Sequence, residues 1–340
     1  MYDEQNEVDE KYFPANIFTG FGIKKLKFIQ ASVRKGLKNN VVILSHVNLL
    51  LVGYLIKLFS PKTKLVLMAH GIEVWKPFTG YKKYMLLKCD KILAVSKYTA
   101  SVLMRLSQVP ETKLQALNNC LDPFLQDLAN KEKDAGLLKK YHLSKEDIVL
   151  MTVARLAARE RYKGYDIVIE SFQKLRETYP YLKYLIVGKY DEMEKDRLDK
   201  MIEKYQLKDQ VIFAGFIPDA KLADHFNLAD IYIMPSEKEG FGIVFIEAMY
   251  YNKPVIAGNK DGSTDALLGG KLGLLVNPKS TAEVMDAISK ILTDKKQFLP
   301  DQKLLIDNFS YPVYKNKWKG ILNNLTRLQP TVSVIIRQHE

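Results

Sequence analysis

The amino-acid sequence predicts an α/β protein with two domains, each built around a parallel β-sheet. The chain has 340 residues, whereas a single hydrophobic core rarely grows beyond about 250–300 residues. Short apolar runs alternate with helix-length segments, and this alternation is typical of parallel sheets whose helices connect successive strands. It occurs in two blocks separated by a polar, charged stretch at 126–146, so we expect two sheets rather than one.

Composition excludes several other classes of protein. The chain is 47% hydrophobic and 26% charged, as is usual for globular domains. Its two cysteines, Cys89 and Cys120, rule out a disulfide framework and fit a reducing compartment. The N-terminus is acidic and polar, unlike a secretory signal, and no apolar run reaches the ~20 residues that span a bilayer. We therefore expect a cytoplasmic protein, either free or attached peripherally to the inner face of the plasma membrane.

The first block of alternation lies in a strongly basic region. Residues 24–105 contain 16 lysines and arginines but only two acidic residues, and the whole chain has a net charge of +12. A basic surface of this kind attracts nucleic acid, anionic lipid or acidic substrates. Nucleic acid is not an expected partner, because the lysines are not interleaved with aromatic stacking motifs and no nucleic-acid-binding pattern is present.

Four elements are expected in this block. Three are short buried strands at 41–47, 64–70 and 91–96. The fourth is a basic amphipathic helix at 23–38. Its apolar stripe is expected to comprise Ile23, Leu26, Ile29 and Val33.

The second block forms a complete α/β unit. The expected strands are 147–156, 181–189, 210–217, 230–236, 253–258 and 273–276. The expected helices are 164–178, 193–205, 219–228, 242–251 and 281–293. In open sheets of this type, ligands bind at the loops that follow the carboxyl ends of the strands, so we look for the chemistry in those loops.

Two cations follow the first strand of the second block. Arg155 comes directly after the strand, and Lys163 precedes Gly164 at the expected start of a helix. Positive side chains near a helix N-terminus suit a phosphate or pyrophosphate. For either cation taken alone, an ordinary solvated position on the surface is an open alternative.

A glycine-rich loop, PSEKEGFGIVFIEAM, follows the strand at 230–236. Gly240 and Gly242 let the backbone approach a ligand closely, and the following helix directs the positive end of its dipole at the same point. Glu239 lies on the loop and Glu247 about two helical turns further on. We therefore expect both carboxylates to face one bound molecule and to accept hydrogen bonds from its hydroxyls.

The sequence does not indicate other kinds of active site. It contains no Asp-x-Asp, no cluster with metal-ligand spacing, no Ser-His-Asp arrangement and no P-loop. We therefore expect no metal and no cofactor, with Arg155, Lys163 and the helix dipole acting in place of a cation.

These segments resemble a known family. RLAARERYKG, LIVGK, VIFAGFIPDAKL, ADIYIMPSEKEGFGIVFIEAMYYNKPVIAG and GLLVNP are similar to the C-terminal domain of GT-B-fold glycosyltransferases of family 4. Glu239 and Glu247 match the two glutamates of that family's E-x7-E motif. The N-terminal HGIE, LAVSKYT and NNCLD resemble the family more loosely. The resemblance covers residues 64–325 and is strongest over 151–277.

The resemblance implies a fold and an activity. The implied fold has two Rossmann-like domains facing a cleft: residues 1–130 on the acceptor side, residues 147–305 binding a nucleotide-sugar, and residues 306–330 crossing back to the first domain. The implied activity is retaining hexosyl transfer from a UDP- or GDP-sugar to a glycan or lipid-linked acceptor, in bacterial surface polysaccharide synthesis. The basic region adds an anionic membrane surface as a further partner. The alternative is a GT-B-fold protein without transferase activity, either an inactive partner or a sugar-nucleotide epimerase.

The resemblance also implies roles for individual residues. Arg155 and Lys163 would bind the donor pyrophosphate and stabilise the charge on the leaving diphosphate. Glu239 would hold hydroxyls of the transferred sugar, and His70 would reach that sugar from the other domain. Glu247 would bind the ribose, and the backbone around Ile217 would hold the base. The other expected donor contacts are Gly188, Gly240, Phe241, Gly242 and Ile243.

The N-terminus departs from the family pattern. Family members open with a strand and a glycine-rich loop, whereas this chain opens with MYDEQNEVDE. The resemblance therefore implies that about one βα unit is lacking, which would leave an unpaired edge on the first sheet.

Overall fold

The computed structural model describes residues 8–127, 132–326 and 332–335. Contacts between residues divide the chain into two units. Unit 1 comprises Met1–Leu117 and Lys315–Glu340, and unit 2 comprises Asn118–Tyr314. The limits expected from the sequence are 1–130, 147–305 and 306–330, whereas the contacts change at 117/118 and at 314/315.

Unit 1 is a parallel sheet with helices between its strands. Its N-terminal part contains α1 (Lys25–Gly36), β1 (Val41–Leu44), α2 (Leu50–Phe59), β2 (Lys64–Ala69), α3 (Gly80–Leu87), β3 (Lys91–Ala94), α4 (Lys97–Ser107) and β4 (Leu114–Ala116). Each strand pairs in parallel with the next along the chain. All four residues of β1 are buried, which explains why this strand is a continuous apolar run. The three predicted strands and the predicted helix are therefore confirmed.

Helix α1 differs from the predicted orientation. The expected core-facing stripe was Ile23, Leu26, Ile29 and Val33. Its first half is wrong, because Ile23 and Leu26 are 84% and 83% exposed, whereas Phe28 is buried and the other two stripe residues pack against the core. Gly36 on the same face as Phe28 approaches α2 so closely that a β-carbon there would lie 2.5 Å from the Cδ1 of Ile56. This close packing fixes which face of α1 turns inward.

Unit 2 contains a larger parallel sheet. Its elements are α5 (Ala135–Lys140), β5 (Ile148–Val153), α6 (Tyr165–Thr178), β6 (Leu182–Val187), α7 (Glu192–Lys204), β7 (Val211–Gly215), α8 (Asp219–Leu228), β8 (Ile231–Met234), α9 (Ile243–Tyr250), β9 (Val255–Gly258), α10 (Ser263–Ala266), β10 (Leu274–Val276), α11 (Thr281–Thr293) and α12 (Gln302–Phe309). The six predicted strands and five predicted helices of this region are all present.

The strand order of unit 2 determines where a ligand binds. The order is β10-β9-β8-β5-β6-β7, and every pairing is parallel. The chain runs outward from β5 through β6 and β7, and then returns to the other side of β5 with β8. This is the order of Rossmann-type folds, in which ligands bind outside the carboxyl ends of the strands at the point of reversal. The predicted Rossmann-like α/β class is therefore confirmed.

The C-terminal part of the chain returns to the first sheet. Helix α13 (Tyr311–Leu325) spans the division between the units, and β11 (Val332–Ile335) follows it. β11 pairs in parallel with β1, in register from Val41 with Val332 to Leu44 with Ile335. In the described residues, the edge of β1 remote from β2 is therefore paired, whereas the sequence interpretation expected a free edge on this sheet.

Each unit has its own hydrophobic core. The core of unit 2 includes the fully buried rings of Tyr165, Phe172 and Tyr184. The core of unit 1 is mainly aliphatic and includes Ile56 and Leu65. Across the ranges that the structure describes, no helix combines the length and apolar character needed to cross a membrane.

Candidate functional site

Three loops of unit 2 meet at the carboxyl ends of neighbouring strands. They are the β5 loop (154–164), the β8 loop (235–242) and the β9 loop (259–262), and their strands lie side by side in the order β9-β8-β5. The N–H of Glu237 donates to the carbonyl oxygen of Tyr162 at 2.8 Å, which fastens the β8 loop to the β5 loop. The cations and glutamates identified in the sequence are thus brought to one edge of the sheet.

Lys163 and Glu239 form an ion pair across two of these loops. The Nζ of Lys163 donates to Oε2 of Glu239 at 2.5 Å, and the two side chains are only 18% and 17% exposed. Burial by itself lowers the pKa of Lys163, but the attraction of Glu239 and the hydrogen bond to it outweigh burial, so the pKa lies above its ordinary value. Lys163 is therefore protonated at neutral pH, and a ligand that enters here meets a charge pair.

Gly164 sets the direction of the β5 loop where it enters α6. Its φ is +77°, a left-handed conformation that glycine adopts without steric cost. A β-carbon at this position would lie 2.2 Å from the carbonyl oxygen of Pro235. Only glycine permits the β5 and β8 loops to approach this closely, and the approach brings Lys163 within reach of Glu239.

Arg155 lies at the start of the β5 loop, beside a basic cavity. Its side chain is 45% exposed and its nearest acidic group is Glu160, with NH1 3.8 Å from Oε1. The cavity measures about 410 Å³ and is lined by Arg155, Ala157, Ala158, Arg159, Lys189, Tyr190 and Asp191. Three cations against one acid favour an anionic ligand. The two predicted phosphate-binding cations therefore differ in environment, since Lys163 is held in a buried ion pair and the side chain of Arg155 is 45% exposed.

The N-terminus of α9 opens onto the same edge. Gly242 precedes the helix, and no side chain caps it. The first N–H groups of a helix that lack a cap carry partial positive charge and attract anions. The ring of Phe241 is buried and contacts Phe309 edge to face at 5.6 Å, so this residue faces a ligand through its main chain and not its side chain. Gly240 is buried and Ile243 is 43% exposed.

Glu247 has a different electrostatic environment from Glu239. It lies on the second turn of α9, where burial and then repulsion from Asp219 and Asp122 raise its pKa to about 7. The sequence interpretation expected both glutamates to act as hydroxyl acceptors. The structure pairs Glu239 with a lysine, whereas it buries Glu247 and places two aspartates near it. At neutral pH Glu247 is therefore partly protonated and offers a donor as well as an acceptor. The acidic neighbours were missed because they lie far away in the sequence.

Gly188 and Ile217 lie at the ends of β6 and β7. The N–H of Gly188 donates to the carbonyl oxygen of Gly215 at 2.9 Å. Ile217 is 9% exposed, whereas the ring of Phe216 is 61% exposed and the Nζ of Lys189 lies 5.0 Å from its centre. The predicted donor contacts therefore continue along the carboxyl edge from β5 to β7.

His70 belongs to unit 1 and follows β2. Its ring Nε2 donates to the carbonyl oxygen of Ser45, 2.7 Å away at the end of β1. The main-chain N–H of His70 donates to Oε1 of Glu73 at 2.6 Å. The HGIE motif thus forms a compact turn that holds the imidazole of an exposed residue in one orientation.

One acidic residue at this edge was missed by the sequence interpretation. Asp261 follows β9 and is fully buried, and its carboxylate accepts hydrogen bonds from Ser236 and from the main chain of Glu239. The sequence could have indicated Asp261, because this residue lies in a loop that follows a strand of the same sheet. In the part of the chain that the structure describes, no group of three or more His, Cys, Asp and Glu residues is arranged to hold a metal ion.

Comparison with known proteins identifies the family. Residues 136–305, half of the chain, match the family described as Glycosyl transferases group 1. This segment includes β5 to β10 and all three loops described above.

Two curated relatives have named activities. The alpha-D-kanosaminyltransferase of Streptomyces kanamyceticus is 26% identical over 213 residues, which are 63% of this chain and 54% of the relative. The GDP-mannose-dependent alpha-(1-6)-phosphatidylinositol monomannoside mannosyltransferase of Mycobacterium tuberculosis is 30% identical over 248 residues, 68% of this chain and 61% of the relative. The chain thus spans little more than half the length of these two proteins.

The fold is also found in solved structures. The crystal structure of Anabaena Alr3699/HepE in complex with UDP has a TM-score of 0.75 and 19% sequence identity, and the match covers 87% of this chain and 82% of that one. At this level of identity the likeness concerns the fold alone. Taken with the match over residues 136–305, it leads to one conclusion: the chain belongs to the family of glycosyl transferases group 1.

Proposed function

We propose that this chain is a hexosyltransferase that moves a sugar from a nucleotide-sugar donor to a glycan or lipid-linked acceptor. The observation that carries the proposal is the ion pair of Lys163 and Glu239 beside the uncapped N-terminus of α9, at the point of chain reversal in the unit 2 sheet. Cations and a helix N-terminus suit a diphosphate, and a carboxylate suits the hydroxyls of a sugar.

The donor is a UDP- or GDP-sugar, bound without a metal ion. Lys163, the α9 amides near Phe241, Gly242 and Ile243, and Arg155 contact its pyrophosphate, while Glu239 accepts hydrogen bonds from the sugar. Glu247 contacts the ribose, and the backbone around Ile217 holds the base. One relative is named as GDP-mannose-dependent and the structural neighbour was crystallised with UDP, so both bases belong in the test.

Charge stabilisation is the main catalytic contribution that we assign to these residues. As the bond to the sugar breaks, negative charge develops on the diphosphate, and fixed cations and amides that face it lower the barrier by several kcal/mol. Glu239 is engaged by Lys163, so it serves as a hydrogen-bond acceptor and not as a nucleophile of the kind that retaining glycosidases use. We propose retention of configuration, with the leaving phosphate accepting the proton of the acceptor on the same face. His70 stays a predicted sugar contact.

The acceptor is a lipid-linked glycan at an anionic membrane surface, as in bacterial surface polysaccharide synthesis. Exposed lysines lie on α1 and α3 of unit 1. Among the most exposed apolar side chains are Ile23 just before α1, Leu26 in its first turn, and Phe59, 67% exposed, at the end of α2. Basic residues next to exposed apolar ones suit an interface with anionic lipid. The phosphatidylinositol monomannoside in the name of one relative is a lipid acceptor of this class.

The first experiment is a thermal-shift panel of UDP-, GDP-, ADP-, CMP- and dTDP-sugars. Stabilisation by one of them follows RT ln(1 + [L]/Kd), and Glu247→Ala should remove it. Transfer of the sugar from the selected donor to an added acceptor then separates a transferase from an inactive partner, which binds without turnover, and from an epimerase, which converts the donor itself. A folded chain that binds none of the five donors would contradict the proposal.

A separate experiment tests the membrane surface. We expect the chain to sediment with vesicles containing phosphatidylglycerol at low ionic strength and to be released as salt is added, because the Debye length shrinks to about 8 Å at 0.15 M. No binding to these vesicles at low salt would contradict the assignment of a membrane-bound acceptor.

A further inference from the structure

Asp261 is a buried carboxylate to which the predicted roles assign nothing. Its side chain is 0% exposed, and it lies on the β9 loop beside the β8 loop that carries Glu239. An ionised carboxylate is costly to bury unless its acceptor positions are occupied by donors. Its partners therefore indicate what it does.

The carboxylate of Asp261 joins two loops through three donors. Oδ2 accepts from the hydroxyl of Ser236 and from the N–H of Glu239, both at 2.6 Å. Oδ1 accepts from the N–H of Ser263 at 2.9 Å. Two of the donors belong to the β8 loop and the third to α10, so this single group fixes the distance between them.

The residue after Asp261 bonds the other main-chain polar group of Glu239. The N–H of Gly262 donates to the carbonyl oxygen of Glu239 at 2.8 Å. A β-carbon on Gly262 would lie 1.9 Å from the carbonyl oxygen of Gly240, so the two main chains are in direct contact. Both the N–H and the C=O of Glu239 are thus bonded to the β9 loop.

We propose that Asp261 is a positioning residue that acts through the main chain of Glu239 to hold the Glu239 carboxylate against Lys163. Its contribution to sugar transfer rests on the proposed function, whereas its effect on the ion pair does not. Asp261 itself, being fully buried behind the β8 loop, is not assigned any contact with substrate.

The charge state of Asp261 is consistent with this role. Burial raises its pKa to about 6, although the hydrogen bonds from Ser236, Glu239 and Ser263 lower it. At neutral pH the group is therefore mainly ionised, which is the form that accepts all three bonds. An amide in its place keeps one acceptor oxygen and turns an NH₂ towards at least one of these donors, so Asp261→Asn removes at least one of the three bonds and the negative charge with almost no change in volume.

The test measures how fast acetic anhydride modifies the Nζ of Lys163, by mass spectrometry of the folded chain at pH 8. In the wild-type chain the amine is largely buried and paired with Glu239, so modification is slow. We expect Asp261→Asn to accelerate it roughly tenfold, the factor that follows from losing a hydrogen bond of ordinary net strength.

Asp301→Asn is the matched control. Asp301 caps α12, where its carboxylate accepts from the N–H of Leu304 at 2.9 Å, and asparagine caps a helix equally well. Labelling of Lys163 should not change in this variant. If Asp261→Asn does not fold, Ser236→Ala removes only one of the three donors and should accelerate labelling in the same direction by a smaller factor. If Lys163 is labelled at the wild-type rate in folded Asp261→Asn, or in Ser236→Ala where Asp261→Asn does not fold, the proposal is overturned.

Turnover provides a second readout that a purely structural role would not reproduce. Because Glu239 is assigned to the sugar, whereas free UDP and GDP meet Lys163 only through their diphosphate, Asp261→Asn should lower kcat by a larger factor than it raises the Kd of free UDP or GDP. Loss of nucleotide binding in parallel with kcat would contradict positioning through Glu239. A wild-type chain that binds neither nucleotide would instead refute the proposed function, and the labelling of Lys163 would still decide the role of Asp261.

Discussion

The carboxylate of Glu194 accepts a hydrogen bond from the Nε of Arg161 at 2.9 Å and has no exposed surface. The same carboxylate accepts from the hydroxyl of Tyr165 at 2.9 Å and from Arg197. It therefore fastens the β5 loop, which carries Arg155 and Lys163, to the first turn of α7.

Glu194→Gln is expected to destabilise the chain by about 2–4 kcal/mol at pH 7, because it leaves two arginines without their buried partner. Burial raises the pKa of Glu194, but the hydrogen bonds from Arg197, Arg161 and Tyr165 outweigh it, so the pKa is lowered. A carboxyl group with a lowered pKa stabilises the fold above its unfolded-state pKa and loses that contribution as pH falls through the folded-state pKa. The difference in free energy of unfolding between the variant and the wild type, measured in urea, should therefore become smaller at acidic pH.

Glu203→Gln is the control for this prediction. Glu203 pairs with Lys208 on the surface, and both side chains are about 70% exposed. Exposed ion pairs contribute little to the free energy of unfolding, so this variant should unfold at the same urea concentration as the wild type. A Glu194→Gln variant as stable as Glu203→Gln would show that the buried network does not hold the β5 loop.

Glu247→Gln should stabilise the chain, whereas Glu194→Gln should destabilise it. Burial, with Asp219 and Asp122, raises the pKa of Glu247 to about 7, so the folded chain retains a proton that the unfolded chain releases between pH 4.5 and 7. The wild type therefore loses stability as pH rises through this window, and the glutamine variant does not. We expect Glu247→Gln to be more stable by about 1–3 kcal/mol at pH 8 and nearly equal to wild type at pH 5.

The same variant tests the role of Glu247 in binding. If Glu247 contacts the ribose of the donor, Glu247→Gln should gain stability without ligand and lose most of the thermal shift that the donor produces. Such an exchange of stability for function is common at binding sites. Full retention of the donor-induced shift would contradict the ribose assignment.

Gly164→Ala and Gly320→Ala form a matched pair that tests the contact between the β5 and β8 loops. Gly164 has φ +77° and lies against the carbonyl group of Pro235, whereas Gly320 is in α13 with nothing within 4 Å of its missing β-carbon. Alanine at 164 should cost at least about 2 kcal/mol, and alanine at 320 should stabilise by about 0.5–1 kcal/mol. Equal unfolding midpoints would refute the close approach at Gly164.

Lys163→Ala should lower kcat by about 10²–10³ if this lysine stabilises charge on the leaving diphosphate. It also leaves the Glu239 carboxylate without its partner, so unfolding must be measured beside turnover. Lys208→Ala, on the exposed pair with Glu203, is the control and should turn over like the wild type. A folded Lys163→Ala variant with full kcat would remove Lys163 from the catalytic scheme.

Unit 2 was largely predictable from the sequence, because its strands are buried on both faces and its helices fill the spaces between them. For Lys163 and Glu239 the sequence predicts only that the two residues lie near one bound ligand. Adjacent strands β8 and β5 bring their loops together, but this does not specify an ion pair between the two side chains. The orientation of α1 was not predictable, because it depends on how closely Gly36 packs on Ile56. Asp261 and Glu194 escaped notice since a carboxylate in a charged stretch resembles a solvated one until its partners are known.

The main-chain contacts at Gly164 and Gly262 limit what the site loops can do before any ligand arrives. Where a peptide carbonyl occupies the space of a side chain, a shift of one loop pushes against the next, so we expect the β5, β8 and β9 loops to move together. A site of this kind loses little conformational entropy when a ligand enters. Selectivity in unit 2 would then come from the shape already present at the carboxyl edge of the sheet, and not from loops that adapt to each donor.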